Sequence, residues 1–156
     1  DGVHILTSDE ALRMEELPKS IIIVGGGVIG VEWASMLNDF GVEVTVVEAA
    51  GQLLPAEDEE IARELQKSLS RRGVNIVTGA QLQTETYEAA DHRVHIDVRV
   101  GEKTERLQAD KLLVSIGRQA NVENIGLENT DVRVERGFVA VNQFVCFPII
   151  SLILLY

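Results

Sequence analysis

The chain has 156 residues, enough for one compact domain with a buried core but too few for the several domains of a typical redox flavoenzyme. Composition is that of a globular protein, 46% hydrophobic and 25% charged. A net charge of −11 excludes a nucleic-acid backbone as partner, because phosphate recognition needs clustered Lys and Arg. The single cysteine, Cys146, excludes an internal disulfide and a Cys-only zinc site.

Residues 1–20 read as a lead-in segment. Asp1 to Glu10 has neither the basic nor the apolar region of a signal peptide, which suits the cytoplasm, and the absence of an initial Met reads as an excised piece. Thr7-Ser8-Asp9-Glu10 predicts an N-capped short helix running to about Arg13 or Met14, and Pro18 ends it. Ile21 to Val24 is a β-branched run with no polar alternation, the pattern of a strand covered on both faces in a parallel sheet.

At Gly25-Gly26-Gly27 the run stops and the period changes. Ile29, Trp33, Met36, Leu37 and Phe40 predict one face of a helix, with Gly41 as its C′ residue. Val42 to Val47 predicts the next strand, ending on Glu48. Strand, glycine turn, helix and strand together make a βαβ unit.

Farther along, Glu57-Asp58-Glu59-Glu60 reads as a helix N-terminus, with Ile61, Leu65 and Leu69 as the buried stripe and Arg71-Arg72 at the C-terminal end. Gly73 stops that helix, and Val74 to Val77 predicts a strand. Leu82 to Tyr87, Val94 to Val100 and Thr104 to Leu107 predict an inserted antiparallel β-meander. Lys111 to Ile116 returns to the parallel sheet, Gly117 breaks it, and Phe138 to Val141 predicts one more short strand. The fold class expected is α/β, a Rossmann-like parallel sheet flanked by helices, with residues 21–143 forming the nucleotide-binding domain. Residues 144–156, FVCFPIISLILLY, form an atypical apolar tail, shorter than the roughly 20 residues of a membrane span. It reads as foreign to the domain, as a buried strand, or as a contact with another chain.

The chemistry sits in Gly25-x-Gly27-x-x-Gly30. Alone this motif is weak, but here it follows a buried-type strand and opens an amphipathic helix. Gly25 permits the turn, Gly27 lets the backbone approach a pyrophosphate, and Gly30 allows close helix–strand packing. The free N–H groups and dipole of the helix N-terminus then hold the anion without a lysine. Glu48 lies 18 residues after Gly30, placed to accept ribose hydroxyls and to repel a 2′-phosphate. No arginine follows it through Leu54, so the expected dinucleotide is NAD(H) rather than NADP(H). The loop pattern alone also suits the ADP half of FAD. His4, His92 and His95 show no metal-ligand spacing, and Cys146 has no neighbour that would activate it.

Two stretches carry a family resemblance. Residues 17–69, LPKSIIIVGGGVIGVEWASMLNDFGVEVTVVEAAGQLLPAEDEEIARELQKSL, and residues 112–129, LLVSIGRQANVENIGLEN, resemble the NAD-binding domain of the dihydrolipoamide dehydrogenases, within the pyridine nucleotide–disulfide oxidoreductases. The likeness covers about residues 3–143. It implies a flavin-dependent parent enzyme that oxidises dihydrolipoamide with NAD through FAD and a redox-active disulfide. It further implies a homodimeric parent within a 2-oxo acid dehydrogenase complex. By the resemblance, Gly25 to Glu32, with Gly26, Val28 and Ile29 among them, form the pyrophosphate turn and its extension, Glu32 lies near the nicotinamide–flavin contact, Glu48 on the adenosine ribose, Leu82 beside the adenine and Gly117 beside the nicotinamide end. This sequence carries no redox cysteine pair, no upstream FAD loop and no downstream His–Glu pair, so FAD is expected only in the full-length parent and no catalytic residue in this segment. Alternatives are the NAD domain of another disulfide reductase, such as one like mercuric reductase, or a stand-alone nucleotide-binding or interaction module.

Overall fold

The computed structural model describes residues 2–143. The apolar tail expected at residues 144–156 lies outside them. The chain divides into two compact units, Asp1–Gly117 and Arg118–Tyr156.

The first unit is built on a five-stranded parallel sheet. Its strands are β1 (Ile5–Leu6), β2 (Ser20–Val24), β3 (Glu43–Val47), β4 (Asn75–Val77) and β8 (Lys111–Val114), in the spatial order β1-β8-β2-β3-β4. Helix α2 (Val28–Asp39) connects β2 to β3, and α3 (Glu59–Arg71) connects β3 to β4. Between β4 and β8 the chain makes a separate antiparallel sheet of β5 (Ala80–Ala90), β6 (Arg93–Val100) and β7 (Lys103–Ala109). This is the expected α/β architecture with its inserted meander.

The unalternated run in β2 has a direct packing cause. Ile21 and Ile23 belong to one buried cluster with Val31, Ala34 and Leu37 of α2. Ile22 turns the other way, into a second cluster with Val94, Ile96 and Val98 of β6 and Leu112 of β8. All three isoleucines are at most 1% exposed, so each contributes on the order of 1.5–3 kcal/mol of burial. The meander therefore covers the sheet face that the helices leave open.

Both long helices end alike. Gly41 N–H donates to Asn38 O and Val42 N–H to Leu37 O; Gly73 N–H donates to Ser70 O and Val74 N–H to Leu69 O. Each pair is a Schellman motif around a left-handed glycine, with φ of +83° at Gly41 and +102° at Gly73. The apolar residues of both motifs lie in the first cluster, so each stop signal also sets where the following strand enters the sheet.

The structure corrects several sequence expectations. The buried seam of α2 is Gly30, Val31, Ala34 and Leu37, whereas Met36 and Phe40 of the expected stripe are 40% and 62% exposed. Small residues let the helix lie close to the sheet, and a pattern read from large apolar side chains rotates the face away from them. In α3 the buried positions are Ala62 and Leu69 with Leu65 partly covered, while Ile61 is 64% exposed. Lead-in residues Ile5 and Leu6 pair with Leu112 and Leu113, giving the sheet an edge strand that was not expected. Helix α1 (Ser8–Ala11) has the expected Thr7 cap but stops short of Arg13, the chain continuing in turns. Strand β8 ends at Val114 rather than Ile116.

In the second unit, a 3-10 turn at Leu127–Asn129 precedes a short hairpin of β9 (Val134–Glu135) and β10 (Phe138–Val139). Its turn residues Arg136 and Gly137 both have positive φ, 53° and 82°. Strand β9 has no apolar alternation and was not legible as a strand; β10 is two residues shorter than expected.

Candidate dinucleotide-binding site

Strands β2, β3 and β8 end level with one another, Val24 pairing with both Val47 and Val114. The chain moves from β2 outward through β3 to β4 and returns through β8 on the other side of β2. This reversal of strand order is the switch point at whose carboxyl end α/β sheets bind ligands. The glycine loop follows β2 there.

Steric detail separates the glycines. Gly25 has φ +106°, and a Cβ on it would lie 2.5 Å from Ser115 O. A Cβ on Gly30 would lie 1.9 Å from Gly25 O and 2.9 Å from Ser115 Oγ, closer than any side chain permits. On Gly26 it would meet Leu53 Cδ2 at 2.6 Å. On Gly27 it would meet nothing within 4 Å, so this side of the loop is open to an approaching group. Gly27 is also the N-cap of α2 and has no side chain to cap it, leaving the N–H groups of the first turn, from Val28 and Ile29 onward, directed outward. An open cradle beside an uncapped helix N-terminus suits a pyrophosphate.

Glu48 ties this loop to the neighbouring strands. Its Oε2 accepts the Gly26 N–H at 2.5 Å and its Oε1 the Ala50 N–H at 2.6 Å. Its own N–H donates to Val77 O, and its carbonyl accepts from Ala80 N–H. Each carboxylate oxygen keeps acceptor capacity for a second donor. Beside it opens a cleft of about 530 Å³ whose walls include Gly25, Glu48, Ala49, Leu82 and Ile116. Among the described residues Glu48 is the single charged one in those walls.

The structure thus brings Gly25, Glu48 and Leu82 to one cleft. Gly26, Gly27, Val28, Ile29 and Gly30 are not among its walls, and Gly26 is joined to it through its hydrogen bond to Glu48. Glu32 stands exposed on α2, outside the cleft walls, and Gly117 ends the first unit one residue beyond Ile116. Ser115, Leu53, Gln81 and Gln83 were missed from sequence. Ser115 Oγ lies 3.0 Å from Val24 O and 3.2 Å from Gly25 O, bracing the turn from β8. Leu53, wholly buried, supports Gly26 from below, and Leu54 N–H donates to Gly26 O. Both come from segments distant in sequence that only the parallel sheet brings together.

Elsewhere, His92 occupies the β5–β6 turn with φ +62°, and His95 sits on β6 opposite Glu88. Among the described residues no group of three His, Cys, Asp or Glu side chains is placed to hold a metal, and no helix is long and apolar enough to cross a membrane.

The sequence profile of the pyridine nucleotide-disulphide oxidoreductases matches residues 1–151. The chain belongs to that family. A dihydrolipoyl dehydrogenase of Bacillus subtilis is 54% identical over 143 residues, covering 92% of this chain and 30% of that protein. One from Zymomonas mobilis is 40% identical over 144 residues, with 92% and 31% coverage. Among solved structures, the HOCl-induced flavoprotein disulfide reductase RclA of Escherichia coli aligns with a TM-score of 0.76 at 32% identity, over 93% of this chain and 32% of that one. LpdA from Mycobacterium tuberculosis gives 0.74 at 29% identity, over 91% and 30%. The chain spans about a third of the length of these oxidoreductase-family relatives.

Proposed function

We propose that this segment binds NAD(H) for a flavin-dependent dihydrolipoyl dehydrogenase, and that the residues for disulfide and flavin chemistry lie outside it. The observation that carries the reading is Glu48, the one charged residue among the described walls of the cleft, whose carboxylate also holds the Gly26 N–H of the glycine loop. Gly25 to Gly30 hold the pyrophosphate through main-chain N–H groups, and Glu48 accepts the adenosine ribose hydroxyls. Leu82 flanks the adenine, while Gly117 and the exposed Glu32 serve the nicotinamide end. When bound, NAD supplies a hydride acceptor at its nicotinamide ring. By the same reading the parent carries FAD, acts in the cytoplasm as a homodimer and serves a 2-oxo acid dehydrogenase complex. The 54% identity to a dihydrolipoyl dehydrogenase supports dihydrolipoamide as the parent's reductant. The likeness to RclA supports a second reading, in which the parent reduces a different disulfide substrate and the nucleotide role is unchanged.

A 2′-phosphate placed by Glu48 would meet a carboxylate and, among the described wall residues, no cation. Two unit charges 4 Å apart interact by about 1–4 kcal/mol between water and a protein surface, and about 1.4 kcal/mol is tenfold in affinity. Fluorescence titration should therefore find NADH binding at least about tenfold more tightly than NADPH. Equal affinities would overturn the reading.

A further inference from the structure

We propose that Leu54 is a positioning residue whose main-chain N–H sets the Gly26–Gly27 peptide so that the Gly27 N–H faces a bound pyrophosphate. The inference rests on the NAD(H) reading and deepens it, because it names a group outside the glycine loop that aims one of the anion's donors.

A peptide between two glycines turns over more easily than any other, since neither side carries a Cβ to restrict it. Turned one way, the Gly26–Gly27 peptide offers an N–H to an approaching anion. Turned the other way, it offers a carbonyl oxygen, which repels one.

Hydrogen bonds fix each peptide of the loop in a different way. Gly25 N–H donates to Val47 O and Gly26 N–H to Glu48 Oε2, so both donors are used within the protein. Gly27 O accepts the Val31 N–H at 3.0 Å, which ties the peptide after Gly27 into α2. The peptide between depends on Leu54, whose N–H donates to Gly26 O at 2.8 Å. It is planar and trans, so its N–H points opposite to its carbonyl. Gly27 N–H therefore points away from Leu54, and no group among the described residues accepts it.

Leu54 itself is held under constraint. Its φ of +48° is left-handed, uncommon for a bulky side chain, and Pro55 after it favours extended backbone there. Such a conformation persists where the surroundings over-determine it. Leu53, wholly buried, packs under Gly26, its Cδ2 2.6 Å from the place of a Gly26 Cβ. On the other side, Leu54 O accepts the Glu57 N–H at 2.9 Å and closes a turn over Pro55. Between these two anchors the Leu54 N–H is presented to Gly26.

The test replaces the Leu54 amide by an ester, through incorporation of the α-hydroxy analogue of leucine. This deletes the N–H and keeps the side chain. The freed peptide spends part of its time reversed, and apparent affinity falls with the competent fraction. The ester chain should bind ADP-ribose about fivefold more weakly than wild type, the effect of one neutral hydrogen bond. Leu54→Asn keeps the N–H and suits a left-handed backbone, so it should lose less than the ester. Amide NMR gives a readout that a merely structural role would not move. In the wild-type chain ADP-ribose should shift the Gly27 amide proton downfield and the Gly26 proton less, and in the free ester chain the Gly27 resonance should broaden. An ester that binds as tightly as wild type, a loss in Leu54→Asn as large as the ester's, or a Gly27 proton unmoved by bound ADP-ribose overturns this inference alone. If the ester chain does not fold, the Gly27 shift in wild type and the Leu54→Asn affinity decide. Failure of the wild type to bind either ADP-ribose or NADH overturns the NAD(H) reading as well.

Discussion

Glu48 accepts the main-chain N–H of Gly26 at 2.5 Å across 22 residues of sequence. With the Ala50 N–H on its other oxygen, the carboxylate is a structural clamp on the loop as well as a ribose acceptor. Glu48→Ala leaves two partly buried N–H groups without an acceptor and should lower stability by about 1–3 kcal/mol. The urea midpoint should fall with an unchanged m value, and the NADH-over-NADPH preference should shrink in parallel. Unaltered stability would mean that the clamp contributes nothing and that Glu48 serves the nucleotide alone.

Gly27 and Gly30 should respond oppositely to the same methyl group. At Gly30 an added Cβ would collide with Gly25 O at 1.9 Å, forcing the helix away from the turn. Gly30→Ala should therefore destabilise the fold and abolish binding together. At Gly27 the methyl would enter open space, and the backbone, with φ −73°, suits alanine. Gly27→Ala should keep thermal stability within about 1 kcal/mol, the range of an N-cap exchange. NADH affinity should nevertheless fall, because the methyl fills the approach left for the pyrophosphate. Intact NADH affinity in Gly27→Ala would show that the pyrophosphate lies elsewhere.

The glycine loop and Glu48 were legible because their signals are local: a break in a β-branched run, a change of period, and an acidic residue at a strand end. Ser115 and Leu53 were not, since nothing in their neighbourhoods marks a residue that braces a turn reached only through sheet pairing. The strands flanking the glycine loop were likewise legible from the βαβ pattern, but the order β1-β8-β2-β3-β4 was not, and the two-residue edge strand at Ile5–Leu6 is too short to show a period. Helix faces failed for a different reason. Gly30 and Ala34 make the buried seam of α2 by being small, and a reading weighted toward large apolar residues passes over them.

A separate prediction concerns acid. The Thr7 main-chain N–H, donating at 2.7 Å, and the Thr7 hydroxyl, at 2.9 Å, hold the Glu10 carboxyl below its ordinary value of 4.5. A carboxyl whose folded pKa is depressed stabilises the fold above the unfolded value, and that contribution is lost as pH falls through the folded one. The capping box of α1 should therefore loosen below about pH 4.5. Hydrogen exchange at the Thr7 amide should show protection falling between pH 5 and pH 3 relative to the intrinsic rate, and Glu10→Gln should remove that pH dependence. A protection factor constant across the range would show that the cap does not depend on the charge.

The two faces of α3 provide a direct measurement of where its core seam runs. Leu69 is 1% exposed and serves both the seam and the Schellman motif through Val74, so Leu69→Ala should cost about 2–5 kcal/mol. Ile61 is 64% exposed and follows the Asp58 cap, whose carboxylate accepts the Ile61 N–H irrespective of the side chain there. Ile61→Gln should then change stability by no more than about 0.5 kcal/mol, as surface substitutions generally do. It should also reduce apolar exposure, so that solubility rises if it changes at all. Denaturation of the two variants side by side decides between the faces: a large loss in Ile61→Gln would return Ile61 to the buried stripe that the periodicity of large side chains first indicated.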